Sequence, residues 1–324
     1  MNIRKNRLKI VLGGIAVCMC MACGGSDTKD YWGDTSNGGK EEPTENPNAS
    51  KPRYIWIDAA ANFPDFANSK ENIARDLALA KDAGFTDIVV DVRPTTGDVL
   101  FKTNIVDQVK FMYAWIGSNY TKVERTATWD YLQAFVDEAR KQGLRIHAAI
   151  NTFVGGNQID GGTGLLYRDQ SKAEWATQMN MQTGIVSVMN TSESTKFFNP
   201  AHPEVQTFLC DLLKDLASYD LDGIFLDRGR FLNLQTDFSE ESRKQFEEYM
   251  GGIRIQNYPD DILLPGASSL PATYPKYLTK WLEFRAKVIY DFMQKARTAV
   301  KGVKPGIKFG VYSKRNCSTG TEQQ

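Results

Sequence analysis

The chain has 324 residues, with 39 basic and 39 acidic side chains in balance and 42% of its residues hydrophobic. That balance, with no basic cluster beyond the first ten residues, argues against a nucleic-acid partner, because neutralising phosphates needs a clustered basic excess. Two histidines, five cysteines without zinc-site spacing, and the lack of a glycine-rich fingerprint for nucleotide phosphates point to no metal and no cofactor.

Arg4, Lys5, Arg7 and Lys9 precede an apolar run from Ile10 to Met21, and Met21-Ala22-Cys23-Gly24-Gly25 follows with small residues around a cysteine. This pattern predicts a bacterial lipoprotein signal over residues 1–23, with Cys23 as the lipidated residue, although Cys20 stands where an aliphatic is usual. A lipid-anchored protein of the bacterial cell envelope is the expectation, attached to the outer membrane at its periplasmic or surface face. Residues 24–50 are polar and poor in apolar side chains, and read as a disordered tether. Cys210 and Cys317 are the cysteines that remain, too few for a disulfide framework. Cys210 lies among leucines and is expected as a buried small hydrophobe.

The folded part is expected over residues 51–313, followed by a polar tail at 314–324. Tyr54-Ile55-Trp56-Ile57-Asp58 is aromatic and β-branched and predicts a strand. Ser69 predicts the cap of a helix running through Lys81, with Ile73, Leu77 and Ala80 on one face and Gly84 as its stop. Asp87–Arg93 predicts a second strand, Trp129–Gln142 a helix ended by Gly143, and Arg145–Asn151 a third strand. Long excursions fill Pro94–Thr128 and Phe153–Pro200, the second with a hairpin around Gln182-Thr183-Gly184. Pro203 suits the first turn of a helix whose stripe runs through Val205, Leu209, Leu212 and Leu216. The Ile224-Phe225-Leu226 run ending at Asp227 is a fourth strand, apolar without alternation and so expected to be buried on both faces. Ser239–Met250 and Leu278–Val300 read as helices and Ile307–Tyr312 as a fifth strand.

Alternating strands and helices predict a parallel sheet with right-handed crossovers. The folded length fits a (β/α)8 TIM-barrel type, yet about five β/α units are legible, so the barrel is expected to be incomplete. Side-chain parity then groups the polar residues at the strand ends. Asp58 shares a face with Trp56, Asp91 and Arg93 with Val89, His147 with Asn151, and Asp227 with Phe225. If those faces point inward, Asp58, Asp91, Arg93, His147, Asn151 and Asp227 gather at the carboxyl-end mouth, where such folds place their chemistry. Asp222 precedes its strand and is expected to be structural.

Four ordered stretches carry a resemblance: Arg53–Asp58, Gly84–Arg93, Asn199-Pro200-Ala201-His202-Pro203-Glu204-Val205 and Asp222–Asp227. Together they resemble the glycosyl-hydrolase-like family 10 proteins, bacterial envelope enzymes similar in turn to the α-amylase group. The resemblance implies a glycoside hydrolase acting on a polysaccharide, either peptidoglycan strands or an imported glycan. It implies Asp227 as nucleophile or as the charge facing an oxocarbenium-like transition state. The proton donor implied at the end of strand five is missing from Val311-Tyr312-Ser313-Lys314, which leaves Asp91 and Asp58 as candidates. Arg93, His147, Asn151, Asn199, Arg230 and Trp56 are the candidate substrate-binding residues. Arg228 is a further cation that could hold Asp227 ionised, and Phe153, Tyr167, Trp175 and Phe231 are rings that could stack on sugars. The alternative is a non-catalytic glycan-binding surface lipoprotein, or an inactive truncated family member.

Overall fold

The computed structural model describes residues 51–312. The expected signal, tether, Cys23 and polar tail lie outside these residues. In chain order the elements are β1 (Tyr54–Ile57), α1 (Phe63–Phe66), α2 (Lys70–Asp82), β2 (Asp87–Arg93), β3 (Phe111–Ile116), β4 (Asn119–Glu124), α3 (Tyr131–Lys141) and β5 (Arg145–Asn151). There follow β6 (Val154–Asn157), α4 (Leu165–Arg168), β7 (Gln178–Met181), β8 (Gly184–Ser187), β9 (Thr195–Phe197) and α5 (Pro203–Ala217). The last four are β10 (Gly223–Asp227), α6 (Glu240–Tyr249), α7 (Leu278–Val303) and β11 (Lys308–Val311).

The main sheet has five parallel strands in the order β1-β2-β5-β10-β11, so each strand pairs with the next main strand along the chain. Helices α2, α3, α5 and α7 make the crossovers between successive strands. Consecutive pairing without a reversal is the order of a (β/α) barrel rather than of a doubly wound sheet. Among the described residues the sheet stays an open arc. It is nevertheless curved enough that Trp56 on one edge strand lies 5.8 Å, ring to ring, from Tyr312 beside the other.

Local chemistry explains the crossovers. Ser69 Oγ accepts the Asn72 N–H at 3.1 Å and starts α2, a cap worth about 1 kcal/mol. Ile73, Leu77 and Ala80 face the core, and Gly84, at φ +85°, turns the chain out of the helix into β2. Asp130 caps α3 through the Gln133 N–H, and His202 caps α5 just before Pro203. All seven residues of β2 are buried, as expected for a central strand with helices on one face and a filled concavity on the other. Cys210 is half-buried, packed against the main core, and burial raises its thiol pKa.

The excursions carry structure that the sequence left as irregular. Pro94–Thr128 contains the β3–β4 hairpin, and Phe153–Pro200 contains β6 paired with β9 besides the expected β7–β8 hairpin. The segment between β10 and α7 packs with the first turns of α7 into a separate small core around Phe238, Phe246, Ile262 and Trp281.

Candidate active site

A cavity of about 390 Å³ opens at the carboxyl ends of the main strands. Its walls bring together Trp56, Asp58, Asp91, Asn151, Asp227, Arg228 and Tyr312. Three carboxylates from β2, β10 and the end of β1 therefore share one concavity, as the parity of the strands predicts.

Each acid is held differently. Asp58 follows β1, and its Oδ1 accepts the Ala60 and Ala61 N–H groups at 2.9 and 2.7 Å, so it both caps the turn and faces the cavity. Asp91 is buried on β2; its Oδ1 accepts the Arg93 N–H at 3.1 Å and its Oδ2 faces Asn151 Nδ2 at 3.4 Å. Burial, with the neighbouring charges of Asp58 and Asp227, pushes Asp91 up to about 7. Asp227 ends β10 opposite Asn151, and its backbone carbonyl accepts the Thr152 N–H at 2.8 Å. Its Oδ1 accepts the N–H of Arg228 at 2.6 Å. Arg228 has φ +47°, the left-handed region, a conformation that costs a non-glycine residue about 1 kcal/mol or more. That turn folds the backbone back onto the carboxylate and sets the Arg228 side chain in the cavity wall.

Other expected residues lie elsewhere. The β2–β5 register slips between Asp91 and Arg93, so Arg93 pairs with Ile150 and leaves the face that Asp91 occupies. A bulge re-aims the residue after it, which is why alternation misplaced Arg93. Arg93 is fully buried and donates to the carbonyls of Asn151, Thr152 and Val154. Burial lowers its pKa to about 10, with Asp98 and Asp91 opposing, so it is a charged brace beneath the loop after β5. His147 is buried near the other end of the sheet, with Nε2 2.8 Å from Asp87 Oδ1 and its ring against Tyr54 and Phe225. Only a glycine fits beside it, because a Cβ on Gly223 would lie 2.6 Å from His147 Nδ1.

Asn199 is also buried; its Nδ2 donates to Ser239 and Ser242 Oγ and its Oδ1 accepts the Ala201 N–H, which ties the start of α5 to α6. Arg230 turns away to the carbonyls of Phe231 and Leu232, although the Asp227 charge still bears on it. Phe153, Trp175 and Phe231 are core residues, not exposed rings, and Tyr167 is half-buried against Gly156 and Gly162. Tyr312 was missed as a wall residue. The parity argument would have found it, because Phe225 pairs with Gly310 and the next same-face position beside Asp227 is Tyr312.

A parallel (β/α) arc with carboxylates at the carboxyl ends of its strands has counterparts of like fold. The β-galactosidase from Bacillus circulans sp. alkalophilus superposes with a TM-score of 0.53 at 11% identity, over 81% of this chain and 36% of that one. The chain belongs to the glycosyl hydrolase-like 10 family, whose model matches residues 51–319. The S-layer-related protein of Niallia circulans is 31% identical over 258 residues, which are 77% of this chain and 16% of that protein. Glycosyl hydrolase DigH of Escherichia coli K12 is 23% identical over 334 residues, covering 95% of this chain. The chain thus spans 66% of DigH and a much smaller share of the S-layer-related protein.

Proposed function

We propose that the protein hydrolyses glycosidic bonds of a polysaccharide, with Asp91 as proton donor and Asp227 as the nucleophile or electrostatic partner. The observation that carries this reading is that a buried Asp91, pushed upward by burial and by its acidic neighbours, shares one open cavity with the more exposed Asp58 and Asp227. Glycoside cleavage needs one acid that keeps its proton and one carboxylate that does not. Asp91, pushed up to about 7, carries its proton in about half of the molecules at pH 7 and in nearly all of them below about pH 6. It would pass that proton to the glycosidic oxygen as the bond to the anomeric carbon breaks. Asp227 faces the resulting positive charge, as nucleophile or as electrostatic partner, with Arg228 beside it in the wall. Water then supplies the hydroxyl to the anomeric carbon and returns a proton to Asp91. Trp56 and Tyr312, with ring centroids 5.8 Å apart at the rim, offer apolar faces to the sugar.

Reducing-end release from a glycan panel tests the assignment. Asp227→Asn is expected to lower the rate by about 10³ or more; wild-type activity in that variant would remove Asp227 from the mechanism. Binding without turnover in the wild type would select a glycan-binding protein instead, a reading favoured by Tyr312 standing where the resemblance implies an acid.

A lipid-anchored place in the cell envelope is part of the proposal, resting on the Met21-Ala22-Cys23-Gly24 signature. Cys23→Ala should abolish palmitate labelling and release the protein from membranes; unchanged labelling would locate the lipid elsewhere.

A further inference from the structure

The β3–β4 hairpin breaks the rule of alternation on its outer face. Phe111, Tyr113 and Trp115 pair with Glu124, Lys122 and Tyr120 and share one face. The opposite face is buried toward the base of the hairpin, where Met112 and Ala114 turn inward and Val123 packs against the main core, while Ile116 at the tip is exposed. A hairpin with one face on the core should present polar residues outward. Here the outward face is mostly aromatic, with Trp115 67% and Tyr120 56% exposed.

Tyr113, Tyr120 and Trp115 form a continuous row of tilted rings, and Phe111 stands edge-on at its end with Lys122 Nζ over its face at 4.0 Å. Phe111 lies 6.2 Å from Tyr113, Tyr113 5.3 Å from Tyr120, and Tyr120 5.4 Å from Trp115. The row is also fastened. Asp160, on the connection after β5 and β6, accepts the Tyr113 hydroxyl at 2.8 Å and pairs with Lys122 at 2.7 Å. At the hairpin's base, Asn68 donates to the Glu124 carbonyl at 2.8 Å and accepts the Thr126 and Ala127 N–H groups. Helix α1, which follows Asp58 at the end of β1, touches β3, and Asn68 just after it ties down the base of the hairpin, so the hairpin stands on the cavity's side of the sheet.

We infer that this aromatic row is a second glycan-binding surface, a stacking platform for pyranose rings of a polymer whose scissile bond lies in the cavity. The inference rests on the glycan reading given above and names a further binding site for the same substrate class. Sugar rings present an apolar face of C–H groups and a rim of hydroxyls. Rigid aromatic rings with polar tips match both, and they lose little entropy on binding. The hydroxyls of Tyr113 and Tyr120 and the Lys122–Asp160 pair lie beside the rings to meet the sugar rim. One lysine and one glutamate on this face balance in charge, so it has no basic excess for an anionic membrane.

Native affinity electrophoresis of the full chain tests the platform, in gels cast with soluble (1→4)-linked glucan, glycol chitin or solubilised peptidoglycan strands. Trp115→Ala and Tyr120→Ala are each expected to weaken retention by a cleavable polymer about tenfold, with an unchanged thermal midpoint. Tyr274→Ala, an exposed tyrosine on another loop, should migrate like the wild type. Wild-type retention of both hairpin variants, in a protein that does cleave or bind the polymer, overturns the platform and leaves the cavity assignment standing. Retention lost in the variants of a protein that never cleaves keeps the platform and overturns hydrolysis. A wild type that neither binds nor cleaves any of these polymers overturns both. A Trp115-dependent dimer on size exclusion, or Trp115-dependent binding to phosphatidylethanolamine/phosphatidylglycerol vesicles, would reassign the face to a second copy or a membrane and overturn the inference.

Discussion

Strand β2 carries two aspartates on one face, Asp87 near its start and Asp91 near its end, and they live under opposite electrostatics. Burial alone would raise Asp87, but hydrogen bonds from Arg145, Thr86 and His147 outweigh it and hold the carboxyl down to about 2. Asp91 is buried beside two more acids and pushed up to about 7. The whole amino-end rim follows the first pattern. Arg140 pairs with Asp222 and Asp220 at 2.7 Å each, and Arg140 and Lys304 hold Asp220 down to about 2. The carboxyl-end rim gathers like charges around a cavity instead. One end of the sheet uses its acids to stabilise the fold; the other keeps an acid in a costly state that suits proton transfer.

The sharpest way to break this contrast is Asp91→Asn. Hydrolysis should fall by about 10²–10⁴, the usual worth of a positioned acid. In the wild type the rate should decline as pH rises past about 7, because the donor is lost, and the variant should lose that limb. Stability should move the other way. A raised carboxyl contributes stability that is complete below its unfolded value near 4 and is lost as pH rises through about 7. The variant avoids that loss, so it should gain stability at pH 8, on the order of 4 kcal/mol at most, and none at pH 4. Urea unfolding at the two pH values reads the difference; equal stability throughout would deny Asp91 its strained state.

Asp87→Asn should do the reverse. Asp87 is depressed, so its contribution is present above the unfolded value near 4 and is lost as pH falls through about 2. The variant is expected to be about 2 kcal/mol less stable at pH 7, with the deficit closing toward pH 2. Its turnover per folded molecule should match the wild type; an altered pH–rate profile would tie the two ends of the strand together.

Asp58→Asn is the finest probe. Asp58 contributes to raising Asp91, so removing its charge should lower the Asp91 pKa and move the falling limb of the rate profile to lower pH. An unmoved limb would mean that burial and the Asp227 charge set Asp91 without Asp58.

Much of the arc was legible in the chain. Asp87–Arg93 and Arg145–Asn151 agree with the observed strands to the residue, because β-branched and apolar runs between a glycine stop and a polar turn are local signals. Parity along those strands placed Asp58, Asp91, Asn151 and Asp227 in one cavity wall. It failed at Arg93, where one bulged residue reverses the alternation, and it could not tell depth along the strands, so His147 was grouped with residues at the opposite rim.

The β3–β4 hairpin shows the same limit. Its aromatics read as an excursion, since nothing local in Phe111, Tyr113 and Trp115 says which face a neighbouring core will cover. Spacing, capping and punctuation act between residues close in the chain, and they sufficed for the order of the five main strands and the helices that link them, the parallel topology and the candidate acids. The ionisation of those acids depends on charges brought from other strands and on the exclusion of water. Asp91 and Asp87 are chemically the same side chain on one strand, and only the folded surroundings set them apart.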